Sequence, residues 1–346
     1  MTEDLDAIRE RLRAAGATDD ELAEMHSWED AYQLSGDLGV RPAGEHLSLR
    51  MLADRAGITV AHVQELFVTA GLSADDLDAR RWYSSDVDWV RTADAARQLL
   101  GDEAVLALLR RGGGAMSQLA NAASSVFRVN VITDVLASPT DVVERNVASG
   151  VLIDTLVDAL AQLFRYHALL SFRDDSVAAG LYGEMRLMAV GFVDIASSTE
   201  LGERVTGAEL AALVSDFDRA AFGIATRHGV RVVKTIGDEV MLCALDANAV
   251  CRAAIALVEF CRTHAVFGAA RGGVAAGDVL EQDGDCYGPV VNRAARFVGA
   301  APDGTVMVDD LVVEGLTAEF AAVVRTPIEH RGLGHVPWNE LVLGPD

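Results

Sequence analysis

Two apolar runs in the second half of the sequence each end in an aspartate, and this arrangement constrains the fold more than any other feature. Met185 to Val193 has the composition of a buried strand that ends at Asp194. The S-x-x-E spacing that begins at Ser197 is that of a capping box, which predicts a helix just after the strand. Residues 230 to 242 form two β-branched segments around a turn that carries Asp238, a pattern typical of a hairpin. A strand, a helix and a hairpin in this order can bring the two carboxylates together.

The charge of the chain limits its partners. Its 346 residues carry 29 basic and 52 acidic side chains, a formal net charge of −23. Such a chain repels phosphate backbones and anionic lipid, so we expect neither nucleic acid nor a membrane as partner, and an anionic ligand needs a local binding device. Among the basic residues only Lys234 is a lysine. This makes Lys234 a candidate functional residue.

The sequence also predicts a compartment. The amino-terminal residues are acidic and lack the basic and apolar regions of a signal peptide. Apolar runs are shorter than the roughly 18 to 20 residues that a membrane span needs, and the longest one is interrupted by Asp154 and Asp158. The four cysteines show no C-x-x-C spacing and are interpreted as reduced and structural. We therefore expect a cytoplasmic protein.

Residues 1–183 are predicted to form a helical domain. Residues 47–71 have the outline of a helix-turn-helix, but the second helix carries Glu65 and no basic residue, which favours a protein-interaction module over DNA binding. Gly112 to Gly114 predict a helix break. Apolar residues at a spacing of three to four from Thr140 to Phe172 predict one long amphipathic helix, which is either a core helix or a lever that couples this domain to the next. The polar, glycine-containing stretch that ends at Gly183 is the predicted boundary.

Residues 184–346 are predicted to form a second domain of α+β class. After the strand that ends at Asp194, the helical periodicity of Gly207 to His228 precedes the hairpin, and another helix spans Ala247 to His264. A strand over Ala269 to Ala275, a helix that begins near Val290 and two short strands follow. This alternation of strands and helices is typical of a ferredoxin-like fold.

Three motifs, in this order, carry a resemblance to a known family. They are F-V-D-I-A-x-S-T beginning at Phe192, K-T-I-G-D beginning at Lys234, and G-x-x-V-N-x-A-x-R from Gly288 to Arg296. Residues 184–346 resemble the catalytic domain of the class III nucleotidyl cyclases, which are adenylyl and guanylyl cyclases. The resemblance implies a class III cyclase catalytic domain, ferredoxin-like, preceded here by an all-α regulatory domain.

The resemblance implies a metal site at the two aspartates. Asp194 and Asp238, with the carbonyl of Ile195, would bind two divalent cations, Mg²⁺ or Mn²⁺. Two hard cations held by carboxylates suit a reaction in which the ribose 3′ oxygen attacks the α-phosphorus and pyrophosphate leaves.

The resemblance also assigns the residues that contact the nucleotide. Lys234 would donate to adenine N1 and Asp285 would accept from the 6-amino group, which implies ATP as substrate. Guanylyl cyclases carry glutamate and cysteine at these two places, and Cys286 lies one position out of that register. Asn292 would orient the ribose, and Arg296 would stabilise charge on the transferring phosphate.

Further features of the family set expectations for assembly and regulation. In the family each site combines residues of two chains, which implies a homodimer with shared active sites. The family's carboxyl-terminal phosphate-binding lysine is absent, and Arg331 is the candidate replacement. Residues 45–180 resemble more loosely the helical domains that precede soluble mycobacterial-type cyclases, some of which make the enzyme pH-sensitive. We expect this domain to restrain the catalytic dimer.

Three alternatives to a regulated adenylyl cyclase remain at this point. One is a guanylyl cyclase. Another is a cyclase-like signalling or binding module without activity, against which the filled polar positions speak. The third is a transcription regulator that uses the helix-turn-helix outline.

Overall fold

The computed structural model of the protein describes residues 5–42, 44–127, 139–177, 185–196, 204–330 and 334–344. The chain divides into two compact units, Met1–Val177 and Ala178–Asp346. The boundary predicted at Gly183 lies outside the described residues.

The described part of the first unit is helical except for one short strand pair. Its helices are α1 (Leu5–Ala14), α2 (Asp19–Glu24), α3 (Trp28–Val40), α4 (Leu49–Ala56), α5 (Val60–Thr69), α6 (Asp86–Leu100), α7 (Asp102–Phe127), α8 (Pro139–Ala148) and α9 (Gly150–Val177). Strands β1 (His46–Leu47) and β2 (Trp82–Tyr83) pair antiparallel. Helices α4 to α6 bury one apolar cluster, and helices α1 to α3 with Val143 of α8 bury another.

The helix-turn-helix outline is present in the structure. Helix α4 ends at Gly57, which takes the left-handed conformation (φ 75°) that favours glycine, and α5 follows. Helix α5 buries Val63, Leu66 and Phe67 in the core of its unit. Its Glu65 accepts a hydrogen bond from Arg97 of α6 at 3.2 Å. Helix α5, which carries no Lys or Arg, thus contributes packing to its unit.

Two predictions for this unit were wrong in detail. Helix α7 runs through the three glycines where a break was predicted. A Cβ at Gly113 would lie 2.1 Å from the Ala70 carbonyl oxygen, so glycine permits a close approach of the α5 end to α7. The helix predicted from Thr140 to Phe172 is divided between α8 and α9. The division falls at Ser149, whose hydroxyl donates to the Asn146 carbonyl at 2.5 Å.

Among the described helices, one segment, Arg145–Phe172, is long and apolar enough to cross a membrane by length and composition. Its mean hydropathy is 1.6, a value that core helices of soluble proteins share, but none of its most apolar window is buried in the structure. The sequence expectation of no span rested on Asp154 and Asp158, which do not remove the segment from consideration.

The second unit is built on one mixed sheet. Its strands are β3 (Met185–Ile195), β4 (Arg231–Ile236), β5 (Glu239–Ala244), β6 (Ala270–Gln282), β7 (Asp285–Tyr287), β8 (Val306–Val308), β9 (Phe320–His330) and β10 (Gly334–Leu343). Its helices are α10 (Gly207–Arg227), α11 (Ala247–Thr263), α12 (Pro289–Ala300) and α13 (Asp310–Glu314). The strand order is β4-β5-β3-β6-β8-β10-β9, and β7 pairs with the far end of β6. All described pairs are antiparallel except β6 with β8.

Helices cover both faces of this sheet. Helices α10 and α11 pack on one face, in a cluster that includes Phe217 and Leu257. Helix α12 packs on the other face through Val290, Ala294 and Val298. The second unit therefore has the α+β class that the sequence predicts.

Strand β6 brings α12 close to the centre of the sheet. A Cβ at Gly273 would lie 2.5 Å from the backbone nitrogen of Val298 and 2.6 Å from the carbonyl oxygen of Ala294. Glycine at this position therefore permits the contact between β6 and α12. The strand was predicted to end at Ala275, but it continues past Gly277, which has a φ of 146°. This extension carries the hairpin that β6 forms with β7.

Candidate active site

The two aspartates of the first two motifs lie side by side at one end of the sheet. Asp194 is the penultimate residue of β3, and Asp238 lies in the turn between β4 and β5. Strands β3 and β5 pair so that Asp194 lies opposite Glu239. The backbone amide of Ile195 donates to the carbonyl of Asp238 at 3.2 Å, which fixes the turn against the strand. The pairing of β3 with β5 thus brings Asp194 and Asp238 together, although they lie far apart in the sequence.

The charges around these aspartates repel one another. Burial, and next the charge of Asp238, raise the pKa of Asp194 above its ordinary value. Burial, followed by the charges of Asp194 and Asp238, raises the pKa of Glu239 to about 7. The partial counter-charge is Arg271 of β6, whose guanidinium nitrogens lie 3.2 and 3.3 Å from Asp194 Oδ2. Sequence reasoning missed Arg271 and Glu239, because only the strand register places them beside Asp194.

This donor set fits a divalent cation. The carboxylates of Asp194 and Asp238 and the carbonyl of Ile195 are hard oxygen ligands, which Mg²⁺ and Mn²⁺ prefer over nitrogen or sulfur. A cation held here would offset the repulsion that raises the pKa values of Asp194 and Glu239.

The predicted base-reading residues form a second cluster. Lys234 Nζ of β4 lies 2.6 Å from Asp285 Oδ2 of β7. The two residues meet because the β6–β7 hairpin folds across to β4, where Arg231 holds it. Arg231 Nη1 donates to the Gly284 carbonyl at 2.7 Å, and Nη2 donates to Glu281 Oε1 at 2.5 Å. Sequence reasoning also missed Arg231. The Asp-Gly pair before Asp285 is a hairpin signal, but it does not indicate that Arg231 contacts this hairpin.

Strand alternation separates Asp285 from its neighbour. The carboxylate of Asp285 contacts Lys234, whereas Cys286 is buried, with 3% of its surface exposed. Cys286 packs in the apolar cluster between the sheet and α12. The cysteine therefore faces the core and the aspartate faces Lys234.

Helix α12 carries the remaining described candidates. It begins after Gly288 with proline at its first position and buries Val290 and Ala294 against the sheet. Asn292 and Arg296, one turn apart, lie on its exposed side. The structure thus places a polar pair on α12 as a third group, apart from the two clusters formed at the strands.

Two sequence predictions fall outside the described residues. Arg331, the candidate phosphate-binding residue, lies between β9 and β10 in a stretch that the structure does not describe. The same holds for the capping box predicted at Ser197. The described capping box of this region belongs to α10, where Thr206 and Glu209 bond each other's backbone amides.

Comparisons with known proteins bear on residues 182–339. These residues match the family described as adenylate and guanylate cyclase catalytic domain.

Three relatives indicate the range of similarity. An uncharacterized protein of Mycobacterium tuberculosis is 28% identical over 326 residues, which cover 93% of this chain and 85% of the relative. A pH-sensitive adenylate cyclase of the same species is 28% identical over 286 residues, or 79% of this chain and 70% of that protein. An adenylate cyclase of Glutamicibacter nicotianae is 37% identical over 158 residues, or 45% of this chain and 39% of that protein.

Among solved structures, two cyclase domains are similar. The catalytic core of a rhodopsin-guanylyl cyclase with converted specificity, in complex with ATPαS, has a TM-score of 0.43 and 23% identity, and the match covers 46% of this chain and 97% of that one. The adenylyl cyclase CyaB of P. aeruginosa has a TM-score of 0.42 and 21% identity, and the match covers 47% of this chain and 96% of that one.

Proposed function

Residues 182–339 belong to the adenylate and guanylate cyclase catalytic domain family, and on this premise we propose that the protein converts ATP into 3′,5′-cyclic AMP and pyrophosphate. The observation that carries the choice of ATP is the contact between Lys234 and Asp285 at 2.6 Å. A lysine donates and an aspartate accepts, which matches N1 and the 6-amino group of adenine. Guanine presents the opposite pattern at these two positions, so this pair favours ATP over GTP.

The base would enter by replacing the contact between these two side chains. In the unliganded protein each satisfies the other's charge, and both keep their places on β4 and β7. Adenine would then take the hydrogen bonds that the two side chains give each other, so that neither charge is left buried and unpaired.

The residues at the end of β3 and in the β4–β5 turn would hold two divalent cations. If bound there, these cations would lower the pKa of the ribose 3′ hydroxyl and stabilise the negative charge of the phosphates. The carboxylates of Asp194 and Asp238 and the carbonyl of Ile195 would hold these cations at the triphosphate end of the substrate. Asn292 orients the ribose, and Arg296, exposed on α12, stabilises the charge that develops on the transferring phosphate.

The active unit in this proposal is a homodimer with two shared sites. The support is the resemblance, in which metal-binding and base-binding residues of one site come from different chains. In this chain both sets are present on one sheet, so each chain supplies one half to each of two sites. The partners in this proposal are ATP and a second copy of the chain, without nucleic acid or membrane, in the cytoplasm.

The primary test is cyclic nucleotide formation by the full chain with ATP or GTP and with Mg²⁺ or Mn²⁺. Cyclic AMP from wild type, a loss in Asp238→Ala and full activity in the exposed-turn control Asp303→Ala are expected. A preference for GTP would refute the roles of Lys234 and Asp285 and would favour a guanylyl cyclase. Failure of wild type to form either product would favour a binding module without activity.

The shared site has a separate test. Asp238→Ala and Arg296→Ala should each lose nearly all activity alone, because each removes one required group from both sites of the dimer. Mixed and allowed to exchange, they should recover about a quarter of wild-type activity, since half of the dimers would then hold one intact site. No recovery in dimers that have exchanged subunits would contradict shared sites.

Regulation by the first unit is proposed to pass through α9, the last helix before the catalytic unit in the sequence. Ala161→Pro should interrupt this helix and change the basal activity of the full chain severalfold, whereas Ala161→Ser should not. Equal activity and equal pH profiles for both variants would refute the coupling.

A further inference from the structure

Two thiols meet beneath the β6–β7 hairpin. Cys243 of β5 and Cys286 of β7 are buried, with 1% and 3% of their surfaces exposed. Their sulfur atoms lie within 4.8 Å of each other, and the thiol of Cys243 is hydrogen-bonded to Cys286. Neither residue takes part in the proposed chemistry, and the sequence alone indicates no pairing.

The surroundings of this pair make its two sulfurs unequal. Arg231 places a guanidinium nitrogen 3.6 Å from Cys286 Sγ. The hydrogen bond from Cys243 lowers the pKa of the Cys286 thiol despite its burial. The same hydrogen bond, and then burial, raise the pKa of Cys243. Cys286, which accepts from the Arg231 guanidinium and from the Cys243 thiol, is therefore the sulfur on which a thiolate would be stabilised, and Cys243 is the neighbouring thiol.

The other two cysteines offer a contrast within the same unit. Cys251 and Cys261 are fully buried on α11. Burial raises the pKa of each to about 12. They are therefore expected to stay unreactive under conditions that oxidise Cys286.

We propose that Cys243 and Cys286 form a reversible dithiol–disulfide pair that responds to hydrogen peroxide. The Cys286 thiolate attacks one peroxide oxygen, the O–O bond breaks, and the hydroxide that leaves takes up a proton to become water. The resulting sulfenic acid is attacked by the Cys243 sulfur, which forms the S–S bond and releases a second water. Overall, two thiols and one peroxide give one disulfide and two waters.

Oxidation would act on the base-reading residue. An S–S bond is about 2.05 Å long, so the sulfurs, which lie within 4.8 Å, must approach further. Cys286 is adjacent in sequence to Asp285, and the approach pulls β7 toward β5 and away from the position in which Asp285 contacts Lys234 at 2.6 Å. This consequence rests on the proposed function, whereas the disulfide itself does not.

A metal site is the competing interpretation of the same cluster. Glu281 lies with the two sulfurs, and the three groups could together ligate a soft cation. However, Glu281 already accepts from Arg231 at 2.5 Å and from Arg186 at 3.2 Å. Two guanidinium groups satisfy the carboxylate and repel a cation, which favours the redox interpretation.

The test treats the reduced full-length protein with hydrogen peroxide and analyses tryptic peptides by mass spectrometry. Cys243 and Cys251 share one tryptic peptide, so fragmentation must locate the link. A Cys243–Cys286 link within one chain that dithiothreitol reverses is expected in wild type and in the matched control Cys261→Ala, and is expected to be absent from Cys286→Ser. Absence of this link in wild type, or oxidation at Cys261 instead, would overturn the proposal.

A second measurement concerns the effect on substrate. Oxidised wild type should show a rise in KM for ATP on the order of tenfold, the loss expected for one charged hydrogen bond, and dithiothreitol should reverse it. An unchanged KM in fully cross-linked protein would overturn the link to Asp285 while leaving the disulfide. Because the peptide analysis needs no activity, a wild type that forms the link but makes no cyclic nucleotide in its reduced state would refute the proposed function and not the dithiol.

Discussion

Arg231 offers a sharp test of how the site is positioned. Its side chain, 41% exposed, joins β4 to the β6–β7 hairpin through the Glu281 carboxylate and the Gly284 carbonyl. We expect Arg231→Met to release the hairpin while keeping an unbranched apolar stem. Asp285 would then lose the fixed position from which it contacts Lys234.

The magnitude follows from the two hydrogen bonds to oxygen that the substitution removes, since the longer contact to Cys286 Sγ at 3.6 Å adds little. Hydrogen bonds to charged groups contribute about 1.5 to 3 kcal/mol when buried, and exposure reduces such contributions, so we expect about 1 to 2 kcal/mol for this pair. That corresponds to a change on the order of tenfold in the population of the closed hairpin. The effect should appear in KM for ATP, because the reacting groups are untouched.

The assay is steady-state cyclic AMP formation together with thermal unfolding. Arg252→Met is the matched control, since Arg252 also bridges two carboxylates, Asp246 and Glu319, but not on this hairpin. We expect a raised KM for Arg231→Met alone, with similar unfolding temperatures for the two variants. An unchanged KM for Arg231→Met, or an equal rise for Arg252→Met, would refute the positioning role.

Three further predictions test other parts of the structure. Gly273→Ala should lower the unfolding free energy by about 1 to 3 kcal/mol, because its methyl group enters the α12 backbone, while Gly299→Ala in open space on α12 should raise it by about 0.5 kcal/mol; equal unfolding temperatures would contradict this packing. A second prediction concerns Glu21 of α2. Burial acts to raise the pKa of its carboxyl, but the hydrogen bonds from Thr18 and the charge of Arg41 outweigh burial and leave this pKa below its ordinary value of 4.5. The stabilisation by the ionised form is therefore fully present above pH 4.5 and is lost as the pH falls below that value. Glu21→Gln should unfold at a lower temperature than wild type at neutral pH and lose this difference in acid, whereas a constant difference would refute the assignment. Arg296→Ala should reduce kcat about a hundredfold without changing thermal stability, since the residue is exposed; an unchanged kcat would remove Arg296 from the site.

Much of the second unit could be predicted from local patterns. The strand before Asp194, the hairpin around Asp238 and the helices α10 to α12 lie within a few residues of their predicted bounds. Each has a strong periodicity and its own end signal, such as the glycine after α10 or the proline that begins α12. Strand β9 was missed, because its Ala-rich beginning and its Thr-Pro segment lack the alternation of a half-buried strand.

What the sequence could not predict depends on long-range register. Arg271 and Arg231 resemble ordinary surface arginines until strand pairing brings them to Asp194 and to the hairpin. Gly113 resembles a helix breaker until the carbonyl of Ala70 is seen against it. The motifs named the candidate residues, and the tertiary structure shows which other side chains hold them.

The β6–β7 hairpin has a tight turn of two residues. Asp283 and Gly284 both have positive φ, 55° and 78°, and Gln282 pairs directly with Asp285. Because successive strand residues face opposite sides, a slip of β7 by one residue in its pairing with β6 would exchange the faces of β7. The thiol of Cys286 would then stand beside Lys234, where the resemblance places a cysteine in guanylyl cyclases. The two-residue turn therefore fixes which of two neighbouring side chains faces Lys234, the carboxylate of Asp285 or the thiol of Cys286.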